Sequence, residues 1–370
     1  MKIMHVTKKY PNVAGGDATG VFNLEKEQIE LGHEVFILTT NCDETIDKPN
    51  VIKFGIRSKP QDWDNLSWKR FISTWMLIFS AFKMFNQIKP DVVHSHSAEL
   101  GFILSFPCRY YNIPLINQCR GVNFPYPQNT LIRRIVEKFC LKYGRFDKII
   151  TVDANSLEAF EKSKIKNVIY IPNGLDFGLF NQNTRKVNKK IIFLFVGRVE
   201  EQKGISDLFK AVNLLKNKNY NFEVHLLGEC INLKYYHKLI KHFGIKNYIK
   251  FLGKKNFQEV VKNYFNSDIF VLPSHQEGFP NTLLEAWGAK LPVIITNVGG
   301  VSKICTDREN ALIVPPKDSE ALAKAMLILI KNPDLRKKLG RNGRRLVEEK
   351  YSWEKIIKKV EKIYKEVLSK

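Results

Sequence analysis

The sequence predicts an α/β protein made of two doubly wound parallel sheets. Three observations lead to it. Short apolar runs alternate with stretches of helical spacing along the 370 residues, the pattern of successive βα units. A polar linker, Asn181 to Lys190, interrupts that pattern, which restarts on Ile191 to Val196, an unbroken apolar run suited to a central parallel strand. The chain is also long enough for two domains with cores of their own.

The first half opens as a βαβ unit. Lys2 to Thr7 reads as a strand, Lys8 to Gly20 as a polar loop, Val21 to Leu31 as a helix stopped by Gly32, and Glu34 to Thr39 as the next strand. The loop holds Gly15-Gly16 without the G-x-G-x-x-G spacing, and no G-x-x-x-x-G-K-[ST] occurs. Two adjacent glycines permit close backbone approach to a phosphate, and equally make a simple flexible turn. Trp63 to Ile88 carries Trp68, Phe71, Trp75, Phe79, Phe82 and Phe85 at helical spacing, with Lys69, Arg70 and Lys83 between. A stripe of this kind predicts a buried helix face; the alternative is an interfacial surface of aromatics and cations.

Strands follow at Asp91 to His94, Leu115 to Gln118, Lys148 to Val152 and Val168 to Ile171, with a helix from about Asn129 to Tyr143. His94 and His96 stand near a strand's C-terminal end, where ligands bind in open sheets; either is equally read as a structural histidine. Pro172-Asn173-Gly174 is a turn.

In the second half, Gly197-Arg198 follows the Ile191 strand and Lys203-Gly204 precedes a helix from Ile205 to Leu215. An arginine and a lysine on one strand-to-helix loop can converge on one anion, the first as a planar fork and the second as a point charge. Further strands are expected at Glu223 to Leu227, Ile249 to Leu252, Ile269 to Leu272, Val293 to Thr296 and Ala311 to Val314, with a helix from Phe257 to Phe265. Three helices close the chain: Ser319 to Ile330, Asp334 to Glu349 and Trp353 to Leu368. The run Arg336 to Arg345 reads as a solvated basic face.

The second half turns on Pro273 to Gly288, PSHQEGFPNTLLEAWG. A buried strand leads in, and a helix opens after Pro280, with Thr282 and Glu285 spaced as a capping box. Backbone N–H groups at such a helix start suit a phosphate. Glu277 and Glu285 bracket that point.

A formal net charge of +22 favours anionic partners. No nucleic-acid signature accompanies it, so a membrane surface ranks above DNA or RNA. Cys42, Cys108, Cys119, Cys140, Cys230 and Cys305 form no C-x-x-C and have no histidine cluster beside them, so neither a disulfide framework nor a zinc site is expected. The first residues lack a signal-peptide core, and Phe71 to Phe85 is too short and polar to span a bilayer, which places the chain in the cytoplasm.

The string from Pro273 to Gly288, continued by Leu291 to Thr296 and Val298-Gly299-Gly300, resembles the donor-site signature of family 4 glycosyltransferases. Ile171 to Asp176 with Phe180, Phe251-Leu252-Gly253, Ser267 to Ser274 and Tyr351-Ser352-Trp353-Glu354 match as well. The resemblance implies the GT-B fold: two Rossmann-like domains facing a cleft, residues 1–180 binding acceptor and 181–350 binding donor. Residues 351–370 would form a helix that crosses back to the first domain. It implies a metal-independent, retaining hexosyltransferase that uses a nucleotide-diphosphate sugar as donor and needs no cofactor. The net charge and the aromatic Trp63–Ile88 segment add the expectation of a saccharide or lipid-linked acceptor in surface polysaccharide assembly. The enzyme would work in the cytoplasm, peripheral at the inner face of the membrane.

By the same resemblance, Arg198 and Lys203 hold the donor diphosphate and neutralise charge as the sugar–phosphate bond breaks. The amides of Asn281, Thr282 and Leu283 hold the same phosphates, and Gly16 approaches them from the other domain. Glu285 binds the ribose hydroxyls, Glu277 the sugar, and the backbone at Gly253 and Lys254 the base. The family often has His-Gly where this chain has Arg120-Gly121, with Asn123 close by. Arginine stays protonated and cannot be a general base, so Arg120 is expected to stabilise sugar or phosphate. A nucleotide-sugar epimerase of the same architecture, or a binding protein without turnover, are the other readings.

Overall fold

The computed structural model describes residues 1–8, 10, 16–40, 48–55, 68–119, 122, 124, 130–154, 156–181, 189–218 and 220–369. It comprises two compact units, Met1–Gly174 with Trp353–Lys370, and Leu175–Ser352.

In the first unit the elements are β1 (Lys2–Thr7), α1 (Gly16–Glu30), β2 (Glu34–Thr39), β3 (Val51–Lys53), α2 (Trp68–Ile88), β4 (Val92–Ser95), α3 (Ala98–Tyr110), β5 (Leu115–Cys119), α4 (Leu131–Tyr143), β6 (Lys148–Thr151), α5 (Ser156–Lys162) and β7 (Val168–Tyr170). The described strands are all parallel, in the order β3-β2-β1-β4-β5-β6-β7. The strand order reverses between β1 and β4, the switch point of a doubly wound sheet. Of these elements α3, α5 and β3 carry no expectation from the sequence.

The second unit holds β8 (Ile191–Val196), α6 (Ile205–Leu215), β9 (Phe222–Leu227), α7 (Leu233–Phe243), β10 (Ile249–Gly253), α8 (Phe257–Phe265), β11 (Ile269–Leu272), α9 (Asn281–Gly288), β12 (Val293–Thr296), α10 (Val301–Ile304), β13 (Leu312–Val314), α11 (Ser319–Lys331) and α12 (Pro333–Lys350). Its strands are also parallel, in the order β10-β9-β8-β11-β12-β13, with the reversal between β8 and β11. Strands β11 and β12 are buried at every residue, as parallel strands covered on both faces should be.

Helix α13 (Trp353–Leu368) follows the second unit in sequence but completes the core of the first. Trp353, Ile356, Ile357, Val360, Ile363, Tyr364 and Val367 form its apolar stripe. They pack with Ile3, Leu24, Val92, Ile116, Ile150 and Ile171.

The structure corrects three expectations. The units divide after Gly174 and after Ser352, not at 180 and 350, because Leu175 N–H donates to the Tyr351 carbonyl at 2.7 Å and Phe180 packs in the second core. Arg344 is no solvated cation; it is buried, donates to the Phe180 carbonyl at 2.9 Å and pairs with Glu348 at 2.5 Å. Among its described side chains, the aromatic stripe of α2 reaches the buried face fully only at Phe85. Ser73, Leu77, Ala81 and Phe85 face inward at intervals of four, while Trp75 is 53% and Phe79 72% exposed. The linker residues 182–188, Trp63 to Ser67 and Cys42 lie outside the described residues; the five described cysteines are not joined in disulfides.

Candidate active site

The C-terminal ends of the strands in the second unit share one edge of its sheet, and the two loops at its switch point, after β8 and β11, are stitched together. Gly204 stands in the left-handed region at φ +70°, and a Cβ there would lie 1.9 Å from the Pro273 carbonyl oxygen. Only glycine allows that approach. His275 N–H donates to the Gln202 carbonyl at 2.9 Å, Gln202 Nε2 donates to Gln276 Oε1 at 2.8 Å, and His275 Nε2 meets Asp207 Oδ2 at 2.6 Å. A third loop, after β12, closes in through Gly299 (φ +55°), whose Cβ would fall 1.6 Å from the Glu277 carbonyl oxygen.

This stitching sets Lys203 Nζ 2.7 Å from Glu277 Oε1, with Ser274 Oγ donating to the same oxygen at 2.6 Å. Both charged side chains are largely shielded from water, so the pair is stronger than a surface ion pair. Arg198 is not drawn into it. Its guanidinium pairs with Glu200 at 3.0 Å and its side chain is 62% exposed. The structure therefore joins the lysine to the acidic loop and leaves the arginine at the rim of the same loop.

Helix α9 begins one turn beyond Glu277. Pro280, not Thr282, is the N-cap, and no side chain caps the helix. The capping box read from the sequence is absent because Thr282 already lies inside the helix. Leu283 N–H donates to the Pro280 carbonyl at 3.0 Å, so the outward amides of the first turn are those of Asn281 and Thr282.

Glu285 has a different partner from the one its spacing suggested: Tyr264 Oη on α8 donates to Glu285 Oε2 at 2.7 Å. Burial pushes the Glu285 carboxyl up to about 7, against a smaller lowering by the tyrosine hydrogen bond. A carboxyl raised in the folded state stabilises the fold below its unfolded value. That stability is lost as pH rises from the ordinary carboxylate range through 7. The cost of ionisation is at most ~3 kcal/mol, less because the residue keeps some contact with water.

Gly253 ends β10 at φ +69°, its carbonyl accepting from Gly228 N–H at 2.9 Å, and Lys254 beyond it is exposed. Gly16 opens α1 in the first unit, while Gly15, Arg120, Gly121 and Asn123 lie outside the described residues. His94 and His96 are buried, His94 against Tyr364 of the C-terminal helix and His96 against His5. Sequence reasoning missed Tyr264, Ser274, His275 and Asp207 as members of the site. Tyr264 and Asp207 reach it only through tertiary packing; Ser274 and His275 lay inside the motif without a spacing to mark them.

Two sheets of Rossmann type, with the last helix returned to the first unit, define the GT-B class of glycosyltransferase. A sucrose-phosphate synthase from Thermosynechococcus elongatus has the same fold, with a TM-score of 0.83 at 20% identity, covering 100% of this chain and 99% of that one. Anabaena HepE in complex with UDP-glucose gives 0.78 at 15% identity, covering 98% of each chain. The family model described as glycosyl transferases group 1 matches residues 177–346, and that described as glycosyltransferase family 4 matches residues 14–178. An uncharacterized glycosyltransferase of Methanocaldococcus jannaschii is 31% identical, covering 99% of both chains. A capsular polysaccharide biosynthesis glycosyltransferase, CapM of Staphylococcus aureus, is 28% identical over 80% of this chain and 83% of its own. The chain belongs to the group 1, family 4 glycosyltransferases.

Proposed function

We propose that this glycosyltransferase moves a hexosyl group from a nucleotide-diphosphate sugar to a saccharide or lipid-linked acceptor, with retention of configuration, in the assembly of a surface glycan. The Lys203–Glu277 pair at the β8/β11 switch point, beside the open end of α9, carries this reading. The donor diphosphate takes Lys203 from Glu277 and draws in Arg198 from the rim. Lysine, arginine and the first amides of α9 then neutralise the charge that grows on the leaving diphosphate. Glu277, released, accepts hydrogen bonds from the sugar. Glu285 accepts them from the ribose, and the backbone at Gly253 and Lys254 meets the base. The leaving phosphate oxygen takes the acceptor's proton, so the reaction calls on no protein nucleophile. The names of two similar proteins, one of capsular polysaccharide biosynthesis and one bound to UDP-glucose, support the class of donor and product.

A panel of nucleotide sugars tests the donor class, because a ligand that binds the native state raises the melting temperature. One donor class should shift it, and the transferred sugar should keep the donor's anomeric configuration by NMR. No shift across UDP- and GDP-hexoses, or an inverted product, would contradict the proposal.

Glu285 adds a pH dependence. Ribose hydroxyls donate to the ionised carboxylate, so donor affinity should rise with pH up to about 7 and level off above it. At pH 6 binding should be about tenfold weaker than at pH 8. Calorimetry on the parent and on Glu285→Gln checks this: the variant should bind weakly with a flat profile, and a flat profile in the parent would remove Glu285 from the ribose.

The acceptor reading draws on the outer face of the first unit. Helix α3 packs against α2 and α4 through Phe82–Tyr110 and Phe102–Phe139 ring contacts of 5.5 and 5.6 Å. Trp75, Phe79, Phe106 and Tyr110 are exposed there, with Ile132 and Ile135 of α4. Arg133, Arg134, Lys138 and Lys142 are interleaved on α4. A groove lined by Phe124, Leu131, Arg134, Ile135, Lys138 and the Glu158–Lys162 ion pair opens beside α4. No described helix is long and apolar enough to cross a membrane. The reading is therefore of a peripheral protein on an anionic cytoplasmic leaflet, where cations and aromatics bind at the headgroups. Vesicles containing phosphatidylglycerol should co-sediment the protein at low salt and release it at high salt. Equal sedimentation with neutral vesicles would reject it.

A further inference from the structure

Three histidines meet inside the first unit, although His96 lies 91 residues beyond His5 in sequence. His5 on β1 and His94 on β4 are register partners, so both side chains leave the sheet on one face. His96, two residues past His94, turns to the same place. All three are buried, and one ring nitrogen of each lies within 4.8 Å of the others. His5 Nδ1 and His96 Nε2 are 2.9 Å apart, and the His94 and His96 rings stack with centroids 4.5 Å apart.

Neighbouring groups orient two of the three, His5 and His94. His5 Nε2 donates to Gln28 Oε1 at 2.7 Å, which leaves His5 Nδ1 with its lone pair toward the other histidines. Gln28 Nε2 donates to Tyr364 Oη at 3.1 Å, and Tyr364 Oη lies 2.6 Å from His94 Nδ1, leaving Nε2 as the inward nitrogen of His94. Metal-ligating imidazoles are held by their second nitrogen in this manner, through groups that fix tautomer and ring plane.

We propose that His5, His94 and His96 are a binding site for one transition-metal ion of the zinc type. Three neutral imidazoles suit Zn²⁺ and its neighbours, and a water or hydroxide would complete a tetrahedron. Ligand nitrogens about 2.0–2.1 Å from such an ion stand roughly 3.3 Å apart. The His5–His96 pair opens by a few tenths of an ångström, His94 closes inward, and His96 moves its proton from Nε2 to Nδ1. The ion ties β1 to β4 and, through Gln28 and Tyr364, holds α1 and α13 on the sheet. The ligands belong to the first unit alone, so the proposal does not rest on the donor-site reading. The sequence hides the site because it has no ligand spacing: β1 and β4 become neighbours only in the folded sheet.

The test uses the full chain, stripped with a chelator and titrated with Zn²⁺ by calorimetry and with Co²⁺ by visible absorption. One equivalent should bind, the cobalt form should show tetrahedral d–d bands, and the melting temperature should rise by several degrees at a hundredfold excess over Kd. His94→Gln and His96→Gln should each weaken binding at least a hundredfold, and Tyr364→Phe by 10- to 100-fold. His242→Gln, on the exposed end of α7, should change nothing. Absence of heat and of cobalt bands from the folded parent chain would overturn the site. So would undiminished binding in His94→Gln and His96→Gln, or its loss in His242→Gln.

Discussion

Replacing Lys203 with alanine should lower kcat/KM for the sugar nucleotide by about 10²–10³-fold while the chain stays folded. Lys203 is the cation that the switch-point loops place against the acidic turn, 2.7 Å from Glu277 Oε1. Its removal takes a positive charge from the site where the diphosphate leaves, and it leaves Glu277 as an anion without its lysine, still accepting from Ser274. Both changes raise the energy of a transition state in which negative charge accumulates. Lys203→Arg keeps the charge and should recover part of the rate, which separates electrostatics from packing. Arg198→Ala and Glu277→Ala carry the same direction. Steady-state kinetics with circular dichroism as the control decide it: a Lys203→Ala enzyme within threefold of the parent would remove this lysine from the reaction.

Gly204→Ala should be the most damaging change to the loop framework. The backbone there is left-handed, which costs a residue with a Cβ roughly 1–2 kcal/mol, and the new methyl meets the Pro273 carbonyl oxygen at 1.9 Å. The two loops must part, at a total of about 3 kcal/mol. Parting them moves Lys203 from Glu277, so stability and donor binding should fall together. Denaturant unfolding and donor KM measure both; an unchanged midpoint with an unchanged KM would show that the loops do not depend on this contact.

The strands of the second unit were readable because parallel strands covered on both faces become continuous apolar runs, as in Ile191–Val196 and Ile269–Leu272. Helix α13 was equally readable from its stripe; the surface it covers, β-strand residues and Leu24 of α1 more than 180 residues earlier, came only from the family resemblance. The acidic loop was legible as a motif, and the resemblance joined Lys203 to it across 74 residues, whereas Tyr264, 21 residues from Glu285, was not legible. Such pairings follow from strand order, which no local pattern encodes. The α2 stripe misled for a related reason. Periodicity locates an apolar face but does not say whether protein or solvent lies against it.

The origin of α13 has a bearing on how the molecule is made. The segment Leu175–Ser352 holds all of its own core, so it can close as soon as it has left the ribosome. The amino-terminal sheet, although it precedes that segment, lacks Trp353, Ile357, Val360 and Tyr364 until the segment has been made. Nascent chains halted before residue 353 would carry a folded later segment behind an earlier one with an oily face uncovered, and would need chaperone cover in the interval.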